Sequence, residues 1–307
     1  MSSFLKLIRY KNLLMVLLTL VLTKFALIHS LNSTSKFSNF HFTILAISIL
    51  CITAGGYIVN DILDLKADKI NKPTKVFIGQ TISKRSAIIT YILFSSIGLF
   101  LGIYLSFKVN ASMISFIFIG TVIGLYAYSK VFKRMAIIGN LVTSFFISLV
   151  IITLYLFESN HPKTSTNLLD VFINIFESIT LTLHVFFYAI FAFLITFIRE
   201  MIKDIEDING DYAMQMKTLP ILIGVKRTNS IVFILASLTF CFLIFSLKEI
   251  FNYTILFGYA FIFVVIPFAW FLYKLRITQS TKQYHQLSTT LKLIMVFGIV
   301  SMLIFKL

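Results

Sequence analysis

Apolar residues fill this chain in long blocks, and the charged ones collect in the gaps between them. A block of about 20 predominantly apolar residues is long enough to cross a bilayer as a helix. That length rule predicts nine such helices, at about 13–30, 41–59, 86–106, 111–129, 136–157, 171–198, 229–247, 252–273 and 288–305. The first follows Lys6, Arg9 and Lys11, as the apolar core of a signal peptide would. It lacks a clear small-residue cleavage site and carries Lys24, so it is read as a retained helix. No gap is long enough for a separate soluble domain. The expectation is an all-α membrane protein with a single membrane domain over residues 1–307.

Composition agrees. The chain has 307 residues, is 58% hydrophobic and only 13% charged, against about a quarter charged in an average globular chain. Its mean hydropathy is +0.94. The net charge of +15 would in a soluble protein raise nucleic acid as a partner, but the placement of the cations explains it differently. Loops on alternate sides of the nine helices carry twenty Lys and Arg against five. Under the positive-inside rule this predicts a cytoplasmic N-terminus, an external C-terminus and a multi-pass protein of the plasma membrane. No nucleic-acid partner is expected. Cys51 and Cys241 lie in apolar runs without metal-ligand spacing, so neither a disulfide framework nor a thiolate site is expected.

The acidic residues change the picture most. There are 12 Asp and Glu, and two stretches hold most of them. Tyr57–Gly79 carries Asp61, Asp64 and Asp68; Arg199–Gly224 carries Glu200, Asp204, Glu206, Asp207 and Asp211. Asp61, Asp64 and Asp68 repeat the spacing of Asp204, Asp207 and Asp211. On a helix, positions i, i+3 and i+7 share one face, so each triplet forms an acidic stripe. Like charges so close require a counter-ion. Mg2+ is a suitable one, because it takes one or two carboxylates and fills its remaining positions with water and substrate phosphates. Lys66, Lys69, Lys72 and Lys75 accompany the first stripe, and Arg199, Lys203 and Lys217 the second. Carboxylates for a metal beside cations for phosphate oxygens make up a diphosphate site. Both stripes fall on the predicted cytoplasmic side, where they can face one cavity, and the repeat hints at an internal duplication. Pro73 with Gly79, and Pro220 with Gly224, then punctuate each loop.

At these residues the chain resembles the UbiA superfamily of intramembrane prenyltransferases. Asn60, Asp61, Asp64 and Asp68 match that family's N-D-x-x-D-x-x-x-D pattern, and Asp204, Asp207 and Asp211 its second aspartate region. The form R-E-x-x-K-D-I-E-D followed by K-T-L-P-I is most similar to the digeranylgeranylglyceryl phosphate synthase branch. The chain departs from the family at Asn71-Lys72-Pro73-Thr74-Lys75, where members often read Asn-Arg/Lys-Pro-x-Arg-Pro, and at Arg9-Tyr10, where they often read Arg-Pro.

The resemblance implies nine helices around a central cavity with cytoplasmic caps. It implies Mg2+-dependent transfer of a polyprenyl group from its diphosphate, geranylgeranyl diphosphate being one such donor, to a lipophilic acceptor. The leading acceptor is a geranylgeranylglycerol phosphate-type membrane lipid. An aromatic acceptor of quinone biosynthesis, a hydroxybenzoate or naphthoate, remains open. By this reading Asn60, Asp61, Asp64, Asp68, Asp204, Asp207 and Asp211 hold the metal, and Asp61, Asp64, Asp204 and Asp207 are catalytic. Asn60, Lys75, Lys130, Arg134, Arg199 and Lys203 contact the diphosphate. The 34 Phe and 13 Tyr supply walls that exclude water and stabilise positive charge.

Other residues carry blander readings. Gly55 and Gly56 suit close helix packing, Tyr126 and Tyr128 an interfacial belt, and Lys24 and Lys292 snorkelling to the membrane surface. Glu206 lies off its stripe. A divalent-cation transporter is the alternative from another class. It predicts carboxylates near the bilayer midplane, whereas these sit at loop–helix junctions beside cations.

Overall fold

The computed structural model describes residues 3–31, 37–71, 76–159, 179–248, 250–251 and 253–306. Among these the protein is all-α, its only β pairings being isolated bridges between Ile78 and Ile82 and between Met135 and Lys217. Among the described residues nine helices are long and apolar enough to cross a membrane: Tyr10–Ile28, Asn39–Leu63, Lys84–Lys108, Ser112–Lys130, Ile138–Ser159, Leu181–Glu206, Val225–Ser246, Thr254–Ile277 and Thr281–Phe305. They correspond one to one with the nine expected from apolar length. The expected start of the sixth, at 171, lies outside the described residues. Cys51 and Cys241 are free thiols.

Local chemistry sets the helix starts. Ser38 accepts a hydrogen bond from the His41 N–H, and Ser83 one from the Ser86 N–H. Ser280 and Gln283 form a reciprocal capping box. In the eighth span a π-helical turn, Phe261–Val265, precedes Pro267. A widened turn accommodates the donor that proline lacks and the carbonyl its ring would strike.

The chain divides into two compact units, residues 1–132 with 149–186 and residues 133–148 with 187–307. In the first, the second and third spans approach closely. A methyl group on Gly55 would lie 2.5 Å from Ser95 Oγ, and one on Gly98 2.8 Å from the Ser48 carbonyl oxygen. Ser48 Oγ donates to the Gly98 carbonyl across that contact. Close packing therefore accounts for Gly55, as read from the sequence. Leu7, Ile58, Ile78 and Ala87 form a small core near the first acidic motif. In the second unit Ile195, Ile198, Phe268, Phe271 and Leu291 anchor a larger core.

Lys24 departs from expectation. Its side chain is 5% exposed and does not snorkel: Nζ donates to Glu158 Oε1 and to the Phe37 carbonyl, both at 2.6 Å. Phe25, Phe37 and Phe42 present their rings within 5.0–5.7 Å. Desolvation of such a pair is offset only when the geometry is good and the remaining donors are satisfied, as the Glu158 and Phe37 contacts provide here.

Candidate functional site

The first acidic motif lies in the first unit. The second span ends at Leu63, Asp64 caps it in the bridge region (φ −91°, ψ 3°), and a short helix, Leu65–Asn71, continues. The stripe expected on one helix therefore spans a break. The backbone ladder survives it, since the Asp64 N–H bonds the Asn60 carbonyl and the Asp68 N–H the Asp64 carbonyl, both at 2.9 Å. An i to i−4 ladder keeps Asp61, Asp64 and Asp68 on one side. Asp64 is buried, and Asn60, Asp61 and Asp68 are half-buried.

Arg9 joins this motif, although the sequence had shown it as a topology charge and at the family's Arg-Pro position rather than as a partner of the aspartates. It caps the first span in the left-handed region (φ 51°, ψ 52°). Its Nη2 donates to Asp61 Oδ1 at 2.5 Å, and its guanidinium lies 5.0 Å from the Tyr57 ring centre, one turn before Asp61. Burial works against its charge, but Asp61, Tyr57 and Asp68 outweigh that and hold its pKa above the ordinary arginine value. Lys130 is exposed and lies 5.6 Å from the Tyr126 ring centre. Lys75 lies outside the described residues.

The second motif lies in the second unit and repeats the construction. The sixth span ends at Glu206, Asp207 occupies the break (φ −96°, ψ 8°), and a short helix runs Ile208–Ala213. The Asp207 N–H bonds the Lys203 carbonyl at 2.8 Å, and the Asp211 N–H the Asp207 carbonyl at 3.2 Å. Each motif thus places its middle aspartate at a helix break. Each is followed by a glycine with positive φ, Gly79 at 86° and Gly224 at 84°, a conformation that glycine adopts at little cost.

The partners in the second motif differ. Asp204 Oδ2 accepts from Asn140 Nδ2 at 2.8 Å. Glu200 gathers two cations, accepting from Arg199 Nη1 at 3.0 Å and Lys203 Nζ at 2.6 Å. Arg199 Nε also donates to the Ser288 carbonyl at 3.3 Å. Asp211 is buried and Arg134 exposed, and the Arg134 carbonyl accepts from the Lys217 N–H at 2.9 Å. That bond ties the loop after the fourth span to the segment following the second motif. Glu206 turns to His285 Nδ1 at 2.8 Å, off the stripe as expected. Asn140, in an apolar helix with no local motif, left no signal in the sequence.

The donors in both motifs are carboxylate and amide oxygens, the ligand type a hard cation such as Mg2+ prefers. Among the described residues no group of three or more His, Cys, Asp or Glu forms a ready-made metal cage. The carboxylates are instead presented in series along each stripe, with cations close by.

The UbiA prenyltransferase family model matches residues 16–296. A digeranylgeranylglyceryl phosphate synthase of Korarchaeum cryptofilum is 31% identical over 240 residues, covering 78% of this chain and 74% of that protein. A solved structure described as giving insight into the biosynthesis of digeranylgeranylglyceryl phosphate synthase in membranes superposes with a TM-score of 0.61 at 22% identity. It covers 99% of this chain and 98% of its own. A UbiA homologue from Archaeoglobus fulgidus bound to GPP and Mg2+ superposes with a TM-score of 0.59 at 15% identity, covering 98% and 99%. At these identities the two structures speak to the fold alone.

Proposed function

This chain belongs to the UbiA prenyltransferase family, and on that premise we propose that it transfers a polyprenyl group from its diphosphate to a geranylgeranylglycerol phosphate-type lipid, with Mg2+ as cofactor. Family membership makes it a prenyltransferase and an integral multi-pass membrane protein, which sets aside the cation transporter. The acceptor follows the relatives named digeranylgeranylglyceryl phosphate synthase. The cofactor follows the homologue bound to GPP and Mg2+ and the oxygen-only donors of both motifs.

The observation that carries the proposal is the twofold occurrence of one construction: three aspartates at the same spacing, the middle one at a helix break. Asn60, Asp61, Asp64 and Asp68, with Asp204, Asp207 and Asp211, hold the metal. When bound, Mg2+ neutralises the charge that grows on the departing diphosphate. Arg199, Lys203, Lys75, Lys130 and Arg134 take phosphate oxygens through charge-assisted hydrogen bonds. The allylic C–O bond breaks, both electrons leave with diphosphate, and the acceptor hydroxyl attacks the resulting cation and loses its proton. Apolar and aromatic side chains keep water from that cation. Residues 1–307 act as one membrane domain. The alternation of loop charge supports a cytoplasmic N-terminus, a cytoplasmic active site and residence in the plasma membrane.

Purified protein in liposomes tests this with radiolabelled geranylgeranyl diphosphate, Mg2+ and a panel of glycerol phosphate and aromatic acceptors. Transfer to the glycerol phosphate lipid, abolished by EDTA, Asp64→Ala and Asp207→Ala, is the expected result. Transfer to an aromatic acceptor alone would overturn the acceptor, and no diphosphate release with any prenyl donor would overturn the reaction.

A further inference from the structure

We propose that Asn140 is a positioning residue for Asp204, fixing the orientation of a carboxylate that would hold the metal; this rests on the function proposed above. Asn140 is only 8% exposed, and its Nδ2 lies 2.8 Å from Asp204 Oδ2. A buried amide without a partner is costly, and a half-buried carboxylate such as Asp204 also gains from a donor. This contact satisfies one donor of the first and one oxygen of the second. It leaves Asp204 Oδ1 as the oxygen that Asn140 does not occupy. Without the amide the carboxylate would rotate about χ2, a broad torsion with no strong preference of its own.

The backbone holds Asn140 in place at some cost. Ile137 has φ 67°, a conformation that a β-branched residue adopts only under constraint. The Ile138 N–H bonds the Ala136 carbonyl at 2.7 Å, closing a tight turn just before the fifth span begins. On one side of that turn the Arg134 carbonyl is tied to the Lys217 N–H, and on the other Ser144 Oγ donates to the Asn140 carbonyl at 2.6 Å. Within the second unit the turn thus delivers the amide to the second acidic motif. The same constraint distinguishes Asn140 from an incidental polar residue in a span. Metal-ligating side chains are oriented by such outer partners, whose removal typically weakens metal binding by about 10–100-fold.

The test is a double-mutant cycle read by metal binding rather than turnover. Mn2+ affinity is measured by electron paramagnetic resonance in nanodiscs containing a non-hydrolysable prenyl thiodiphosphate, for wild type, Asn140→Leu, Asp204→Asn and the double variant, with thermal midpoints alongside. Asn140→Leu is expected to weaken Mn2+ binding about tenfold or more. In the Asp204→Asn background it is expected to weaken binding by less than about twofold, because coupled residues do not add. Unchanged Mn2+ affinity in Asn140→Leu would overturn the proposal. So would an equal loss in both backgrounds, the signature of a purely structural residue. If Asn140→Leu does not fold, Asn140→Ala completes the same cycle. Wild type that binds no Mn2+ would overturn the parent reading along with the inference, whereas wild-type binding with a flat cycle would sink the inference alone.

Discussion

The first membrane helix meets a carboxylate near each of its ends, and the two encounters are built differently. At its start Arg9 pairs with Asp61 at 2.5 Å, with side chains 38% and 18% exposed; near its end Lys24 pairs with Glu158 at 2.6 Å, with 5% and 2% exposed. The ion chemistry is similar and the two cations stand about 22 Å apart along the helix. Water decides what each pair does. At the open end the charges keep partial access to solvent and to ions. At the closed end both side chains are shielded from water and from dissolved ions. There the pair commits the first span to the fifth, which carries Glu158, and to the Phe37 carbonyl between the first two spans. The partly open pair involves the acidic motif, and the sealed one holds spans together.

Four measurements probe this contrast. The largest stability effect is expected at the sealed pair. Lys24→Leu or Glu158→Leu alone strands a buried charge, at a cost of about 3–5 kcal/mol. The Lys24→Leu/Glu158→Leu double variant recovers most of that loss, since apolar replacement of a buried pair is often neutral. Chemical denaturation in detergent reads this, and a single variant as stable as wild type would show that the closed end is not sealed. Asp61→Ala reverses the balance. It removes about a hundredfold or more in turnover, the scale of a lost preorganised electrostatic group. Its stability shifts by less than that of the sealed-pair single variants, because the Arg9–Asp61 pair is only partly buried.

Arg9→Ala sits between them. Arg9 holds Asp61 Oδ1 at 2.5 Å, so its loss is expected to raise KM for the prenyl diphosphate about tenfold, the scale of losing an outer partner of a metal ligand. The thermal midpoint should hardly move, and an unchanged KM would mean that Arg9 only anchors the helix start. The smallest effect is ionic. Screening at about 0.5 M salt reaches exposed charges and spares buried ones. Arg9→Ala should therefore lose part of the wild-type salt response, while the Lys24→Leu/Glu158→Leu variant should keep all of it.

The acidic motifs were the most legible part of the site. Their spacing alone paired Asp61, Asp64 and Asp68 with Asp204, Asp207 and Asp211, because a helical period places those positions on one face. The break at Asp64 and at Asp207 was not legible. Aspartate favours helix ends over interiors, but each motif offers three of them at helical spacing, and only the backbone dihedrals show which one takes the break.

Membrane burial explains the rest of the division between chain and fold. Whether a stretch crosses a bilayer depends on its own length and apolarity, a condition met residue by residue along the chain. The nine spans, the acidic stripes and the uneven loop charge were therefore present before folding. The partners of those charges were not. Arg9 meets Asp61 across 52 residues, Asn140 meets Asp204 across 64, and Lys24 meets Glu158 across 134. Which helix faces which is a matter of packing between distant segments. Only the tertiary structure decided that Lys24 would be buried against a carboxylate and that an asparagine in an apolar span would hold the second motif.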